Sequence, residues 1–135
     1  MKTAFLLDTS ALLAARDGEP GSERVAVLLR DALGGRHRCL ACFMTLMEVY
    51  YCVWKDEGEA VGQRAYSDCL ALPIEWVHES PGLLERAAKV KATQRLSLAD
   101  AWIAAAAMET GAVLVHKDPE FEPLIEFAQE GLPYK

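Results

Sequence analysis

Short apolar runs that alternate with longer amphipathic stretches constrain the fold of this chain more than any other feature of its sequence. A short, mostly apolar run is typical of a buried strand, and the stretches between the runs have the apolar spacing of helices. Strands that alternate with helices in this way predict an α/β domain with a largely parallel sheet. The predicted strands are Ala4–Leu7, Cys39–Phe43, Ile74–Val77 and Ala112–Val115.

Helices are predicted in the stretches that separate and follow these strands. Ser22 and Ser97 are expected to act as N-caps, and Thr45 and Glu48 have the spacing of a capping box. A short edge strand is expected near Leu132–Tyr134. The predicted helices span Thr9–Arg16, Ser22–Leu33, Thr45–Asp56, Glu59–Leu70, Leu83–Gln94, Ser97–Thr110 and Pro119–Gln129.

Length and charge limit the kinds of protein that this chain can be. Its 135 residues, 52% of them hydrophobic, suffice for one domain over 1–135 and leave little room for a second. The 20 acidic and 14 basic residues give a formal charge of −6, which excludes nucleic-acid binding through overall positive charge but not through a local patch. No apolar stretch approaches the ~20 residues that span a bilayer, and Ala4–Leu7 is too short for a signal peptide, so a cytoplasmic protein without membrane association is expected.

Two acidic residues follow predicted strands. Asp8 comes directly after Ala4–Leu7, and Asp118 comes shortly after Ala112–Val115. Because ligands of open α/β sheets bind at the carboxyl ends of the strands, both acids are candidates for a functional site. Each also suits the N-cap of a following helix, and for Asp8 alone the two interpretations carry about equal weight.

Glu48 and Asp100 occupy the fourth positions of two box-like helix starts, so each also has a local capping role available. Glu48 is expected to join Asp8 and Asp118 at one edge of the sheet, whereas local reasoning does not place Asp100 there. Carboxylates held close together raise one another's pKa unless a cation compensates, and sites made of oxygen ligands suit Mg²⁺ or Mn²⁺. Jointly, the four acids therefore indicate a divalent-metal site.

The segments around these acids resemble the four acidic motifs of the PIN-domain family in order and spacing. Length and organisation are most similar to the VapC toxins of prokaryotic toxin–antitoxin pairs. The resemblance implies a three-layer α/β/α fold with a central, mostly parallel sheet of about four to five strands flanked by helices. The segments are Leu6–Leu12, Thr45–Val49, Leu96–Ala101 and Val115–Phe121.

The same resemblance implies a chemistry. Asp8, Glu48, Asp100 and Asp118 take the positions of catalytic ligands for Mg²⁺ or Mn²⁺, and Ser10 takes the position of an assisting hydroxyl. The implied reaction is hydrolysis of RNA phosphodiester bonds by metal-activated water, which leaves a 5′-phosphate. RNA, a cognate antitoxin protein and a second copy of the chain, in a homodimer, are the implied partners.

Two residues near Asp118 leave its role less defined than that of the other acids. The family commonly has Thr or Ser two residues before the fourth acid, whereas this chain has His116, so the hydrogen bonding around Asp118 is expected to differ. Glu120 could substitute for Asp118 as a ligand, although an exposed carboxylate in the first helical turn is the favoured interpretation.

Binding of RNA requires positive charge near the acids. Arg95 and Lys117 are predicted to contact the substrate, because Arg95 precedes Asp100 and Lys117 adjoins Asp118. Arg86 and Lys89 are better explained as part of a solvated helix face.

Two other functions are weighed against the nuclease. Asp8, Asp56 and Lys117 fall at roughly the spacing of a phosphoacceptor receiver domain, but Thr9 follows Asp8 where such domains have a second acid, and Asp56 ends a predicted helix. A catalytically inactive PIN scaffold that binds antitoxin or RNA is the other alternative. Because all four acids are present, the active enzyme is preferred.

A stripe of large side chains recurs at helical spacing within the predicted helix Thr45–Asp56. Its members are Met47, Tyr50, Tyr51 and Trp54. Such a stripe is more often core packing than a partner interface, and core packing is the interpretation adopted.

Overall fold

A parallel sheet forms the centre of the computed structural model, which describes residues 2–134. Within these residues the strands are β1 (Ala4–Leu7), β2 (Arg38–Cys42), β3 (Glu75–Val77), β4 (Val113–His116) and β5 (Gln129–Gly131). They lie in the order β3-β2-β1-β4-β5, and every neighbouring pair is parallel. The α-helices are α1 (Thr9–Asp17), α2 (Ser22–Leu33), α3 (Phe43–Glu57), α4 (Glu59–Ala71), α5 (Pro81–Thr93) and α6 (Leu98–Thr110).

Different helices cover the two faces of the sheet, which gives the molecule three layers. Side chains of a strand point alternately to opposite faces, so Phe5 and Leu7 of β1 pack with α1 to α4, while Leu6 packs with α5 and α6. A parallel sheet needs this cover on both faces because its strands are apolar on both sides. The predicted three-layer fold with a parallel central sheet is confirmed.

The central position of β1 determines where the acids can meet. Phe5 pairs with Cys39 of β2 on one side and with Val113 of β4 on the other. Because the three strands are parallel, their carboxyl ends lie side by side. The residues that follow β1, β2 and β4 therefore share one border of the sheet, which we call the carboxyl edge.

Small side chains allow α6 to pack directly against the sheet. The residues from Ile103 to Ala107 are completely buried, and four of these five are alanine. Ser97 caps the helix by accepting a hydrogen bond of 3.1 Å from the backbone N–H of Asp100, as predicted. Between residues 2 and 134, no helix is both long enough and apolar enough to cross a bilayer.

Three predicted helix starts are wrong, and the helix predicted from Leu83 begins at Pro81, with Ser80 as its N-cap. Gly21, with a φ of 97°, stands at the N-cap of α2, so Ser22 is the first helical residue instead of the cap. The third helix begins at Phe43, directly after β2, so Phe43 is not in the strand and Thr45 lies inside the helix. No loop separates β2 from α3, and Thr45 is therefore buried beside Thr9 instead of capping a free helix end.

The predicted helix over Pro119–Gln129 is also wrong. A single 3-10 turn spans Pro119–Phe121, irregular chain follows, and the edge strand forms at Gln129–Gly131 instead of near Leu132–Tyr134. Pro123 cannot donate a backbone hydrogen bond, which disfavours a helix through this segment. The chain from 117 to 128, which we call the β4–β5 loop, therefore depends on other hydrogen bonds for its shape.

The stripe on α3 is not core. Met47 is 58% exposed, and Tyr51 and Trp54 are each 44% exposed. Only Tyr50 turns inward, where its ring stacks on Tyr66 at 5.1 Å between centroids. The exposed residues Met47, Tyr51 and Trp54, here called the α3 stripe, form an apolar surface, which is unusual on a water-facing helix.

The close packing of α4 on α3 generates a first prediction. A Cβ added at Gly62 would lie 2.9 Å from the Cβ and 3.0 Å from the Cα of Trp54. We expect Gly62→Ala to lower the free energy of unfolding by roughly 1–2 kcal/mol, because overpacking outweighs the gain of about 1 kcal/mol in helix propensity. Chemical denaturation measures this directly.

Gly82 is the matched control for Gly62. It also lies in a helix, but a Cβ there would meet only an oxygen of Glu109, at 3.9 Å. We expect Gly82→Ala to leave stability unchanged or to raise it by up to about 1 kcal/mol. Equal effects of the two substitutions would contradict the packing argument.

Candidate metal centre

Asp8 lies at the carboxyl edge, immediately after the central strand, and is only 2% exposed. Its Oδ1 accepts hydrogen bonds from the backbone N–H of Ala11 at 2.8 Å and from the Ser10 hydroxyl at 2.7 Å. Asp8 is thus the N-cap of α1, and its position at the strand end also places it in the candidate site. The N-cap interpretation of Asp8 is confirmed, and the same side chain remains a candidate for the functional site.

The Ser10 hydroxyl links the ends of two strands. It donates to the carboxylate of Asp8 and accepts a hydrogen bond of 2.9 Å from the backbone N–H of Lys117. Lys117 directly follows β4, so this oxygen joins the segment after β1 to the segment that carries Asp118. Ser10 therefore lies beside the acids, where its hydroxyl orients Asp8.

Glu48 reaches the same region from α3. Its Oε1 accepts a hydrogen bond of 2.5 Å from the hydroxyl of Thr9, which lies 3.0 Å from the hydroxyl of Thr45. Thr9 and Thr45 are both buried, so this pair fixes the carboxylate of Glu48 beside the start of α1. Neither threonine was assigned a site role from the sequence, because their contact joins segments 36 residues apart.

Asp100 and Asp118 approach each other from opposite sides of the site. One carboxylate oxygen from each, together with one from Glu120, lie within 4.8 Å of one another. Asp118 also accepts a hydrogen bond of 2.9 Å from the backbone N–H of Glu120, so it caps the 3-10 turn. The structure thus brings Glu120, which the sequence favoured as a solvated side chain, into the acidic group.

Burial and mutual repulsion raise the pKa of two of these acids. Burial is the main cause for Asp8, with smaller contributions from the charges of Asp118 and Glu48, and its pKa rises to about 7 against the opposing effect of its hydrogen bonds. Burial is also the main cause for Asp100, followed by its hydrogen bond to Asp118, and its pKa rises to about 8. The charges of Asp8, Glu48 and Asp118 all act on Asp100, so the other three predicted acids lie close enough to raise its pKa.

No protein cation neutralises this cluster among the described residues. The salt bridges between residues 2 and 134 all lie elsewhere and leave out Asp8, Glu48, Asp100 and Asp118. A set of carboxylate oxygens without nitrogen or sulfur donors is the ligand set that hard divalent cations such as Mg²⁺ or Mn²⁺ prefer. The residues present therefore fit such a cation.

The two basic residues predicted to contact substrate occupy different surroundings. Arg95 is exposed and lines a surface groove of about 460 Å³ together with Glu120 and Pro123, next to the acids. Lys117 is half-buried, and its Nζ donates a hydrogen bond of 2.9 Å to the carbonyl of Pro20. Arg86 instead forms a salt bridge with Glu109.

Asp8, Asp56 and Lys117, the residues of the receiver-domain alternative, do not form one site. Asp56 is exposed in the last turn of α3 and does not follow a strand, as an acceptor aspartate requires. Lys117 is directed toward Pro20. The geometry therefore gives no support to that alternative.

Comparisons with known proteins agree with this geometry. The sequence model of the family described as PIN domain matches residues 5–124. No curated protein sequence matches the chain.

Several solved structures share the fold. VapBC2 from Rickettsia felis bound to a promoter DNA fragment matches with a TM-score of 0.77 and 16% identity, over 97% of this chain and 100% of that chain. DNA-bound VapBC from Salmonella typhimurium matches with a TM-score of 0.74 and 20% identity, over 97% of this chain and 98% of that chain. VapC20 from Mycobacterium tuberculosis, a toxin that cleaves the sarcin–ricin loop, matches with a TM-score of 0.65 and 17% identity, over 96% and 99%.

The raised pKa values predict how stability depends on pH without divalent ions. The ordinary pKa of an aspartate is 3.8, whereas those of Asp8 and Asp100 are about 7 and about 8 in the folded protein. Their protonated forms favour folding, so this contribution is complete below pH 3.8 and is lost as the pH rises through 7 and 8. We expect Asp100→Asn to be more stable than the wild type, by a margin that grows from pH 5 to pH 8.5.

Thermal unfolding in EDTA measures this margin, with Asp56→Asn as the control for an exposed acid outside the cluster. Addition of Mn²⁺ at pH 8 should raise the melting temperature of the wild type by roughly 3 °C or more and that of Asp100→Asn by less. A margin that is constant with pH would contradict the electrostatic account of the cluster.

Proposed function

The chain belongs to the PIN domain family, and on that premise we propose that it is a metal-dependent endoribonuclease, the toxin of a VapBC-type toxin–antitoxin pair. The observation that carries the proposal is the gathering of Asp8, Glu48, Asp100 and Asp118 at the carboxyl edge without a cationic partner among the described residues. Such a cluster has a physical reason to exist if it binds Mg²⁺ or Mn²⁺. The similarity to VapBC structures supports the toxin assignment.

The roles proposed for the acids are those that the resemblance to the PIN-domain family implies. Asp8, Glu48 and Asp100 are the proposed ligands of one cation. Asp118 is proposed to help bind a second cation or to orient the water molecule that attacks the phosphate. A divalent cation, when bound, lowers the pKa of water and offsets the negative charge that develops on the phosphate. Ser10 keeps the oxygens of Asp8 in place, and Thr9 does the same for Glu48. No serine, cysteine or histidine nucleophile is required.

RNA is the proposed substrate. The structural similarity to a toxin that cleaves the sarcin–ricin loop supports this substrate class. The groove next to the acids, with Arg95 on its wall, offers a path for a strand whose phosphate reaches the cluster. The local positive charges of Arg95 and Lys117 would then attract the phosphates of the RNA although the net charge of the protein is −6.

An antitoxin protein and a second copy of this chain are the proposed partners, and the cytoplasm is the proposed compartment. The solved structures that share this fold include a toxin–antitoxin complex from Klebsiella pneumoniae and a VapBC toxin–antitoxin system from Mycobacterium tuberculosis, which supports the first partner. The α3 stripe gives independent support for an interface, because Met47, Tyr51 and Trp54 are apolar and exposed in the isolated chain. The inactive-scaffold alternative is disfavoured because the acids remain grouped.

Removal of a ligand tests the proposed activity. We expect Asp8→Asn and Asp100→Asn each to reduce cleavage of total RNA in Mg²⁺ or Mn²⁺ at least about a hundredfold, since loss of even an outer partner of a metal costs about 10–100-fold. Asn remains a good N-cap, so Asp8→Asn should stay folded by circular dichroism. Asp56→Asn is the control and should cleave like the wild type.

Two outcomes would remove this mechanism. One is cleavage that survives both substitutions, and the other is cleavage that EDTA does not affect. A wild-type protein that binds RNA and Mn²⁺ without cleaving would favour the inactive scaffold instead.

Removal of positive charge tests the substrate path. We expect Arg95→Ala and Lys117→Gln to weaken RNA binding at low salt and to reduce the slope of log affinity against log salt by about 1 each. The glutamine retains a donor for the carbonyl of Pro20. Lys89→Ala, on the exposed face of α5, is the control. Fluorescence anisotropy measures the affinity for RNA, with each substitution made in the Asp100→Asn variant so that the RNA is not cleaved. Unchanged affinity would contradict the proposed path of the RNA along the groove.

A further inference from the structure

His116 is a buried polar residue for which the proposed reaction has no use. It ends β4, is 1% exposed and lies two residues before Asp118. Its ring packs against the completely buried ring of Phe121, and the two ring centroids are 5.2 Å apart. Both ring nitrogens nevertheless have partners in the protein.

The partners determine the form of the ring. The backbone N–H of Asp118 lies 3.1 Å from Nδ1 of His116, and a backbone N–H can only donate. Nδ1 must therefore accept, so the ring is neutral and carries its proton on Nε2. The Nε2–H then donates to Oε1 of Gln129 at 2.9 Å.

Gln129 extends the chain of hydrogen bonds across the β4–β5 loop. Its Nε2 donates to the carbonyl of Phe121 at 2.8 Å and to the carbonyl of Leu124 at 2.7 Å. These two bonds use both hydrogens of the amide, and its oxygen accepts from His116. The orientation of the amide is thus fixed, and every polar atom of the two side chains is satisfied.

Together the two side chains fix the loop at three backbone positions. His116 holds the N–H of Asp118, and Gln129 holds the carbonyls of Phe121 and Leu124. The backbone hydrogen bonds of the 3-10 turn, such as that from the N–H of Glu122 to the carbonyl of Pro119, join residues within the loop and do not tie it to the sheet. Asp118 and Glu120, which meet Asp100 within 4.8 Å, are carried by this loop.

We propose that His116 and Gln129 are positioning residues, which act through the β4–β5 loop to set the carboxylates of Asp118 and Glu120 against Asp100 for cation binding. The inference rests on the proposed function, because it assigns these residues to the same site. Outer partners that orient ligands are worth about 10–100-fold in metal affinity or activity. Here the orientation passes through the backbone, since neither side chain touches a carboxylate directly.

Substitutions can separate the three anchors. Gln129→Met keeps the length of the side chain and removes all of its hydrogen bonds. His116→Asn retains an acceptor for the N–H of Asp118 and loses the contact with Gln129. His116→Ala removes both the acceptor for the N–H of Asp118 and the contact with Gln129. Tyr134→Phe is the matched control, because it deletes one exposed hydrogen bond of 2.7 Å from the same region, to Glu122 of the loop.

Titration calorimetry with Mn²⁺ is the main measurement. We expect Gln129→Met and His116→Ala to weaken Mn²⁺ binding by about 10–100-fold, His116→Asn by less, and Tyr134→Phe not at all. Excess Mn²⁺ should restore part of the RNA cleavage lost in Gln129→Met, which a general loss of folding would not allow. Unchanged Mn²⁺ affinity in folded Gln129→Met and His116→Asn would overturn the proposal.

A second measurement does not depend on activity or on metal. Nitrogen NMR of the wild-type histidine rings should show Nδ1 of His116 unprotonated and Nε2 protonated. Amide exchange at Asp118 should be slow in the wild type and in Tyr134→Phe, and faster in His116→Ala. A cationic ring or a rapidly exchanging amide in the wild type would overturn the positioning network even if the chain cleaves RNA.

The two proposals can therefore fail separately. A wild type that binds no Mn²⁺ and cuts no RNA would overturn the proposed function, and with it the metal-positioning role. A wild type that binds Mn²⁺ and cuts RNA, with variants at His116 and Gln129 that bind equally well, would overturn only the positioning role.

Discussion

The burial of one carboxylate, that of Asp8, is the constraint on which the rest of the structure depends. A carboxylate that leaves water loses solvation that only hydrogen bonds, a proton or a cation can replace. Ser10 and the backbone of Ala11 supply hydrogen bonds, but the charges of Glu48 and Asp118 oppose ionisation. The fold thus keeps at the end of its central strand a carboxylate that its hydrogen bonds stabilise only in part, and its pKa rises to about 7. The segments around that position bring further carboxylates close to it, from Glu48 and Asp118.

Two kinds of structure deliver those oxygens. Asp8 caps α1, while Glu48 and Asp100 lie in the first two turns of α3 and α6, so their positions follow from helices that pack on the sheet. Asp118 and Glu120 come from a segment with little regular structure, whose shape depends on side-chain hydrogen bonds to its backbone. A site built half on rigid elements and half on a loop can adjust on one side while the other side stays fixed.

The sequence predicts the parts of this structure that depend on local pattern. The alternation of strands and helices, the cap at Ser97 and the position of Asp8 after a buried strand are all visible in it, because each rests on neighbouring residues. Thr45 is misjudged because its partner Thr9 is distant in the chain, and Asp100 cannot be placed by local reasoning for the same kind of reason. The helix predicted after Pro119 is wrong because local pattern does not reveal that the side chain of Gln129 binds the carbonyls of Phe121 and Leu124. The α3 stripe looks like core because periodicity shows that a helix has an apolar face and does not show what covers that face.

The pairing of β1 with β4 determines when, during synthesis of the chain, the four acids can come together. Phe5 pairs with Val113, so the centre of the sheet is completed only after all the residues between them have been synthesised. Contacts of such long sequence separation form slowly, because a large loop must close before they contribute. A chain still emerging from the ribosome carries Asp8 and Glu48 without Asp118 and therefore has an incomplete set of acids. The acids can therefore gather only after the segment that carries Asp118 has been synthesised and β4 has paired with β1.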